Sequence, residues 1–173
     1  MTLTSILPSL RSTIPDPLAI DRWPEWTHPT TTDVIVSGVS LLRLVDICET
    51  PCVHVAAAVV PWTHGRPSDR EQASVVVVRV TGVSAVAASD AVAASGESVA
   101  PVLTFDAELD ALPACLEEAR LIGRSSTRRS QPFLVGGRVV TLPSDTAVGD
   151  LIAVPCAGAV GCRQLRVGAG GCR

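Results

Sequence analysis

The sequence predicts a mainly β fold, a β-barrel or β-sandwich with two or three short helices. Several short apolar runs are rich in valine, and glycine and proline residues separate them, which is typical of strands joined by turns. Strands and helices do not alternate along the chain as they do in parallel α/β folds. At 173 residues the chain has room for one core, whereas a (β/α)₈ barrel needs about 250 residues.

The first strands and a helix follow a proline-rich start. Residues 1–32 show no hydrophobic periodicity, which indicates an extended N-terminal arm that packs its tryptophans elsewhere. The run DVIVSG, residues 33–38, predicts a strand that ends at a turn glycine. Ser40 is placed to cap a helix whose apolar residues follow at helical spacing, and Pro51 ends it. The run CVHVAAAVV, residues 52–60, predicts the next strand.

The middle of the chain mixes strand and helix signals. Residues 61–72, with two prolines and one glycine, predict a polar loop. The β-branched run 73–87 predicts a buried strand, and residues 101–105 predict another. Two short helices are expected after it, one capped by Asp106 and one over residues 113–123.

The last third of the chain again predicts strands. Gly136-Gly137 is placed at the turn of a hairpin, and residues 151–155 read as a strand. A further short strand and a flexible tail over residues 168–173 are expected to follow. Between the arm and the tail we therefore predict a single β-barrel domain, residues 33–167.

The composition excludes several classes of function. All 14 basic residues are arginine, so no lysine is present to form a Schiff base, and the chain has no tyrosine. The net charge of −3 gives no reason to expect nucleic acid as a partner. No apolar run approaches the roughly 20 residues of a membrane helix. The start has no basic segment before an apolar block, so we expect a cytoplasmic protein without membrane partners.

Six cysteines raise the question of a metal site or disulfides. Cys48, Cys52 and His54 form a C-x₃-C-x-H pattern, but a structural zinc site usually shows two paired ligand hooks, and no second hook is present. Cys48 falls on the apolar face of the predicted helix, where a buried thiol is ordinary. We therefore expect no metal, and reduced thiols rather than disulfides.

Two segments together resemble the PLP-dependent decarboxylases of the diaminopimelate and ornithine type. The first runs from the strand at 33–38 through the helix into the next strand, as in the opening "GGV-x-L-x-x-L-a-x-x-x-GTP-x-YV" pattern of that family. Gly38, Thr50 and Pro51 stand at matching positions. Glu49 stands where the family has glycine.

The second segment, LPSDTAVGDLIAVPCAGAVG, spans residues 142–161 and is similar to the family's "LP…GDLLAV…GAYG" segment. Its matching positions include Gly149, Asp150, Gly158 and Ala159. In the family the N-terminal strand and the C-terminal region build one β-barrel domain, and the catalytic (β/α)₈ barrel is inserted between them. The resemblance implies that the small domain is present, that residues 61–72 mark the insertion point, and that the catalytic barrel is missing.

The resemblance also implies that the cofactor chemistry is lost. These enzymes hold PLP as an aldimine on a lysine, which this chain does not have. Val160 stands where the family has a tyrosine that reaches the cofactor. Ser126 falls near the position of the family's substrate-segment cysteine, and the acidic pair of that segment is missing. We therefore expect no cofactor, with PLP present only if a partner subunit supplies it.

Two classes of function follow as hypotheses. The first is a non-catalytic subunit or regulator, a homo-oligomer or a hetero-oligomer with a full-length PLP decarboxylase, because family members are dimers with active sites at the subunit interface. The alternative is a small stand-alone enzyme or ligand-binding protein with a repurposed site. Its catalytic candidates are His64, which a loop would present as a base, and Cys156 and Cys162, although no Ser-His-Asp or Cys-His spacing supports them. A third hypothesis assigns no function and treats the chain as a remnant protein without selected activity.

Overall fold

The computed structural model describes residues 2–84 and 100–165, and its regular structure is mainly β, which confirms the predicted fold class. These residues contain ten strands in two sheets and two α-helices. The strands are β1 His28–Pro29, β2 Val34–Val36, β3 Val39–Ser40, β4 Cys52–Val59, β5 Pro67–Ser84, β6 Val102–Phe105, β7 Arg120–Ile122, β8 Ser130–Val135, β9 Arg138–Pro143 and β10 Leu151–Ala157. The helices are α1 Leu3–Ile6 and α2 Leu41–Cys48.

Six strands form a nearly closed barrel in the order β7-β10-β5-β6-β8-β9. Most neighbours are antiparallel, and only the pairing of β6 with β8 is parallel. The seventh strand, β4, pairs with β5 on the edge opposite β10. The two end strands, β7 and β9, lie near each other without forming a ladder, and we call the gap between them the seam.

The valine run of β5 is buried on both faces, as its sequence predicts. Val76, Val78 and Val80 point into the core inside the barrel. Val75 and Val77 point the other way, into a second core outside the barrel wall. The run has no polar alternation because successive side chains on a strand face opposite sides, and here each side is covered.

The second core is covered by the small sheet β1-β2-β3 and by α2. Leu41 and Val45 of α2 are buried against it, at helical spacing. Ser40 caps the helix as predicted, because its Oγ accepts the Arg43 N–H at 3.0 Å. Trp23 completes the layer and is 1% exposed.

The two helices predicted after residue 105 are wrong. Asp106 does not begin a helix, and residues 113–123 contain only a 3₁₀ turn, Leu116–Glu118, followed by β7. The reason is tertiary: the Cys115 N–H donates to the Pro155 carbonyl at 2.8 Å, which ties the segment to β10. Leu112, Ala114 and Leu116 then enter the barrel core at a spacing of two residues, which a helix does not provide.

The predicted polar loop at 61–72 is shorter than expected. β5 begins at Pro67, and the connection from β4 is a turn in which the Val60 N–H donates to the Arg66 carbonyl at 2.8 Å. Pro67 still pairs with Val59, across a bulge. The Ser68 Oγ accepts two backbone N–H groups within this bulge, which lets polar, exposed residues continue the strand.

The predicted arm, residues 1–32, contains α1, the 3₁₀ turns Pro8–Ser12 and Ile20–Arg22, and β1. At the other end, Cys162–Gln164 form a 3₁₀ turn, and most of the segment in which a further strand is expected lies outside the described residues. The predicted tail, residues 168–173, lies outside the described residues. No helix in the described part of the chain has the length and apolar character needed to cross a membrane.

Candidate functional site

The family-matching residues near the start of the fold shape its turns. Gly38 lies between β2 and β3 with φ +81°, a conformation that glycine adopts without strain. Thr50 and Pro51 connect α2 to β4 through a cis peptide bond. The Thr50 Oγ1 accepts a hydrogen bond from the Arg79 Nε at 3.3 Å, which joins this connection to β5.

The matching residues after β10 are held by one buried serine. The Ser74 hydroxyl donates to the Gly158 carbonyl at 2.8 Å and accepts the Val160 N–H at 3.2 Å. Ala159 between them is exposed, whereas Val160 is 3% exposed and packs in the barrel core. The side chain at position 160 therefore contributes to the core rather than to a surface that could meet a ligand.

Two other matching residues, Ser126 and Asp150, are linked by a chain of hydrogen bonds through Asp145 and Arg124. Arg124 donates from Nε and Nη2 to the two Asp150 carboxylate oxygens, at 2.8 and 2.7 Å. Its Nη1 donates to Asp145 at 3.1 Å, and the Ser126 hydroxyl donates to the other Asp145 oxygen at 2.6 Å. Positions 126 and 150 are far apart in sequence, so only the fold brings them into one network.

The electrostatics of this network fix the charges of its members. The hydrogen bonds to Asp150 raise the pKa of Arg124, although burial acts in the opposite direction. For Asp145 burial alone would raise the pKa, but the hydrogen bonds from Ser126 and Arg124 outweigh it and the pKa is lowered. Both groups are therefore charged at neutral pH, and the network has the form of a structural clamp rather than an acid–base pair.

The three catalytic candidates lie at separate places. His64 is exposed in the turn between β4 and β5, with φ +56°. Cys156 is 1% exposed inside the barrel, and burial raises the pKa of its thiol to about 12. Cys162 is exposed in the 3₁₀ turn after β10. The fold does not combine them, and a Cys156 thiol with so high a pKa is almost entirely protonated at neutral pH.

The cysteine–histidine pattern at 48, 52 and 54 is also dispersed. Cys48 is exposed at the end of α2, whereas Cys52 is buried in the second core. The His54 Nε2 is buried and has no hydrogen-bond partner among the described residues. Within residues 2–84 and 100–165, no group of three or more histidine, cysteine or acidic side chains is arranged to hold a metal ion.

A polar cleft of about 300 Å³ lies at the seam of the barrel. Residues of β7, of β9 and of the start of the chain line this cleft. Ser126 and Arg124 are also among its lining residues. Residues 2–22, which we call the strap, run across it. The lining side chains used below are Arg11, Asp16, Glu118, Arg120, Ser130 and Thr141.

Two arginines fasten the strap on opposite sides of the seam. Arg11 of the strap donates from Nη1 to the Arg128 carbonyl at 2.9 Å and from Nη2 to the Ser130 Oγ at 3.1 Å, at the start of β8. Arg120 of β7 donates to the carbonyl oxygens of Asp16 and Pro17. Sequence reasoning missed both arginines, because 109 residues separate them and neither belongs to a motif.

No protein-family model matches the chain, and a search of the curated proteins finds no match.

Proposed function

We propose that the chain is a non-catalytic β-barrel protein descended from the small domain of diaminopimelate- and ornithine-type PLP decarboxylases. In this proposal it acts by associating with a full-length decarboxylase of that family or with another copy of itself. The observation that carries the proposal is the meeting of the two segments that resemble the family. β4 from the first segment and β10 from the second pair with opposite edges of β5.

The connection between β4 and β5 also supports descent from this family with loss of the catalytic barrel. In the family the catalytic barrel would be inserted at this point, and here a short turn over residues 60–66 joins two strands that pair directly. Removing a self-contained unit between neighbouring strands leaves the remaining pairing intact. Trp62 at this turn is 90% exposed, so the junction presents an aromatic side chain that a partner would cover.

The backbone conformation of Glu49 supports the proposed descent independently of the side chains that match the family pattern. Glu49 has φ +60° and ψ −178°, a conformation that is essentially restricted to glycine. The family has glycine at this position. The chain has therefore kept a backbone that suits the family's residue better than its own.

The Glu49→Gly variant is expected to be more stable than the parent protein by about 1 kcal/mol. Relief of a strained conformation of about 1–3 kcal/mol exceeds the entropy that an added glycine costs, about 0.5–1 kcal/mol. Chemical denaturation followed by far-UV circular dichroism measures the difference. Ile47→Gly, at an exposed helical position two residues earlier, is the matched control and is expected to destabilise by about 1 kcal/mol. Equal destabilisation by both variants would contradict the argument from Glu49.

The association itself is tested with the purified full chain. Light scattering during size-exclusion chromatography gives its mass alone, and capture from the native lysate followed by mass spectrometry identifies a bound decarboxylase. We expect a dimer, or a complex that contains a PLP decarboxylase. Trp62→Ser should weaken the association, whereas Val148→Ser, which is 64% exposed elsewhere, should leave it unchanged. A monomer that captures no PLP decarboxylase would rule the proposal out.

A further inference from the structure

The guanidinium group of Arg120 binds two neutral backbone acceptors side by side. Its Nη1 donates to the Asp16 carbonyl at 2.8 Å and its Nη2 donates to the Pro17 carbonyl. An arginine fork that presents two donors in one plane matches the two oxygens of a carboxylate or the oxygens of a phosphate. The strap therefore occupies this fork with two oxygens that carry no formal charge.

The charge of Arg120 is compensated by nearby carboxylates that do not hydrogen-bond to it. Burial lowers the pKa of Arg120, the charges of Glu118 and Asp16 act in the opposite direction, and the charge of Arg11 adds a smaller lowering. In the part of the chain that the structure describes, neither hydrogen bond of Arg120 goes to a carboxylate.

Four acidic residues line the cleft, Asp16, Asp33, Glu117 and Glu118, and two of them, Glu118 and Asp33, accept hydrogen bonds from donors other than Arg120. The Glu118 Oε2 accepts the Trp23 Nε1–H and the Ala19 N–H, each at 3.1 Å. Asp33 accepts the Val34 and Leu42 N–H groups and the Ser40 hydroxyl. Asp16 lies 3.0 Å from the Arg11 Nε. In the described part of the chain Arg11 and Arg120 both direct their hydrogen bonds to neutral acceptors, but Arg11 also has the Asp16 carboxylate as an ion-pair partner, whereas Arg120 has no such pair.

The strap is attached mainly by polar contacts, and Leu18 near its end is partly buried against the second core. Within residues 2–22 only Thr4 is buried, and the large apolar side chains of Leu3, Ile6 and Ile14 are exposed. A segment with so few buried apolar contacts opens at a low free-energy cost compared with the barrel. A ligand that offers Arg120 better acceptors can therefore compete with it.

We propose that Arg120 is an oxyanion-binding residue of the seam cleft, and that the strap carbonyls of Asp16 and Pro17 occupy its fork until a carboxylate or phosphate displaces them. The guanidinium donors are charged in both cases, so an ionised acceptor in place of a carbonyl adds direct attraction between opposite charges in a bidentate geometry, which favours the exchange. The cleft, at about 300 Å³ and with the hydroxyls of Ser130 and Thr141 in its lining, suits a small oxyanion. This inference develops the ligand-binding hypothesis and does not depend on association with a partner.

The test titrates the ¹⁵N-labelled full chain with inorganic phosphate and, separately, with acetate, at an ionic strength held constant with sodium chloride. Acetamide, the neutral isostere of acetate, controls for shape without charge. We expect saturable shifts in the amides of β7 and the strap with at least one oxyanion and none with acetamide. Which of the two anions binds identifies the ligand as a phosphate or a carboxylate. The absence of saturable binding by both would overturn the proposal.

Variants assign the binding to Arg120. Arg120→Gln is expected to weaken oxyanion binding about 10- to 100-fold, from the loss of charged hydrogen bonds. Arg120→Lys keeps the charge but not the two parallel donors, so it should bind the oxyanion at least about 5-fold more weakly than the parent protein does. This variant tests the assignment if Arg120→Gln does not fold. Arg138→Gln is the matched control, because Arg138 also donates to a backbone carbonyl, that of Ala114, but lies outside the cleft lining. Unchanged affinity in a folded Arg120 variant contradicts the assignment.

Hydrogen exchange distinguishes competition with the strap from simple binding. If the oxyanion displaces the strap, a saturating concentration should speed the exchange of strap amides such as those of Leu7, Leu10 and Ile14, which are hydrogen-bonded within the strap. Exchange in β5 and β10 should not change. Tight binding that leaves exchange in the strap unchanged would show that the strap carbonyls do not occupy the oxyanion site.

Discussion

Replacing Trp23 with alanine is expected to lower the free energy of unfolding by about 3–5 kcal/mol, a large share of the stability of an ordinary domain. Trp23 is 1% exposed and fills the second core beside Val75 and Val77. Its Nε1–H also donates to the Glu118 carboxylate at 3.1 Å. The truncation therefore leaves a cavity between the barrel wall and the small sheet and removes one hydrogen bond.

Trp26→Ala is the matched control, because Trp26 is three residues away and 64% exposed. It is expected to change stability by no more than about 0.5 kcal/mol. Trp23→Phe keeps most of the apolar volume but not the N–H group, so its effect should fall between the two. Guanidinium denaturation monitored by far-UV circular dichroism avoids the change in tryptophan fluorescence. Similar midpoints for Trp23→Ala and Trp26→Ala would refute the second core as described.

The second large effect is expected at Arg124, whose replacement by methionine should destabilise the fold by about 2–3 kcal/mol. Asp150, its bidentate partner, has a side chain that is only 13% exposed, so the variant leaves a carboxylate largely removed from water without its cation. Arg43→Met is the control, since Arg43 and Asp46 form an exposed pair at 3.7 Å. Exposed ion pairs of this kind contribute about 0–1 kcal/mol to stability. If Arg124→Met destabilises the fold no more than Arg43→Met does, the Arg124 network does not have the structural role described.

The same network gives a pH dependence with a defined sign. The pKa of Asp145 is lowered in the folded state from its ordinary value of 3.8, so its contribution to stability is complete above about pH 4. That contribution is lost as the pH falls through the lower folded-state pKa, because the carboxylate is then protonated in both states. In the Arg124→Met variant the pKa of Asp145 should be lowered less. The difference in the free energy of unfolding between the parent protein and this variant should therefore narrow as the pH falls below 4. A difference that stays constant to low pH would show that Asp145 takes no part.

Local signals were sufficient where tertiary contacts agree with them. α2 has a capping serine, apolar residues at helical spacing and a following proline, and the structure contains it as predicted. The valine run of β5 and the Gly136-Gly137 hairpin carry equally strong local preferences. Between residues 113 and 123 the local helix signal loses to hydrogen bonds with β10, which no local pattern encodes.

The candidate site was predictable only in part. Ser126 and Asp150 belong to two sequence motifs, and the fold links them through Asp145 and Arg124. Arg11 and Arg120 carry no motif, and they face each other because β7 and β9 end the sheet without pairing. The absence of lysine, in contrast, is a property of the sequence alone.

The sequence by itself determined the mainly β fold and the helix before β4, because periodicity and capping act within a few residues, and it determined that no lysine is present. Only the tertiary structure decided that β5 joins β4 to β10, that Trp23 closes a second core and that a strap lies over the seam. Those features depend on contacts between residues that are distant in sequence. These contacts stabilise the protein only once the sheet has curved into a barrel and brought the residues together.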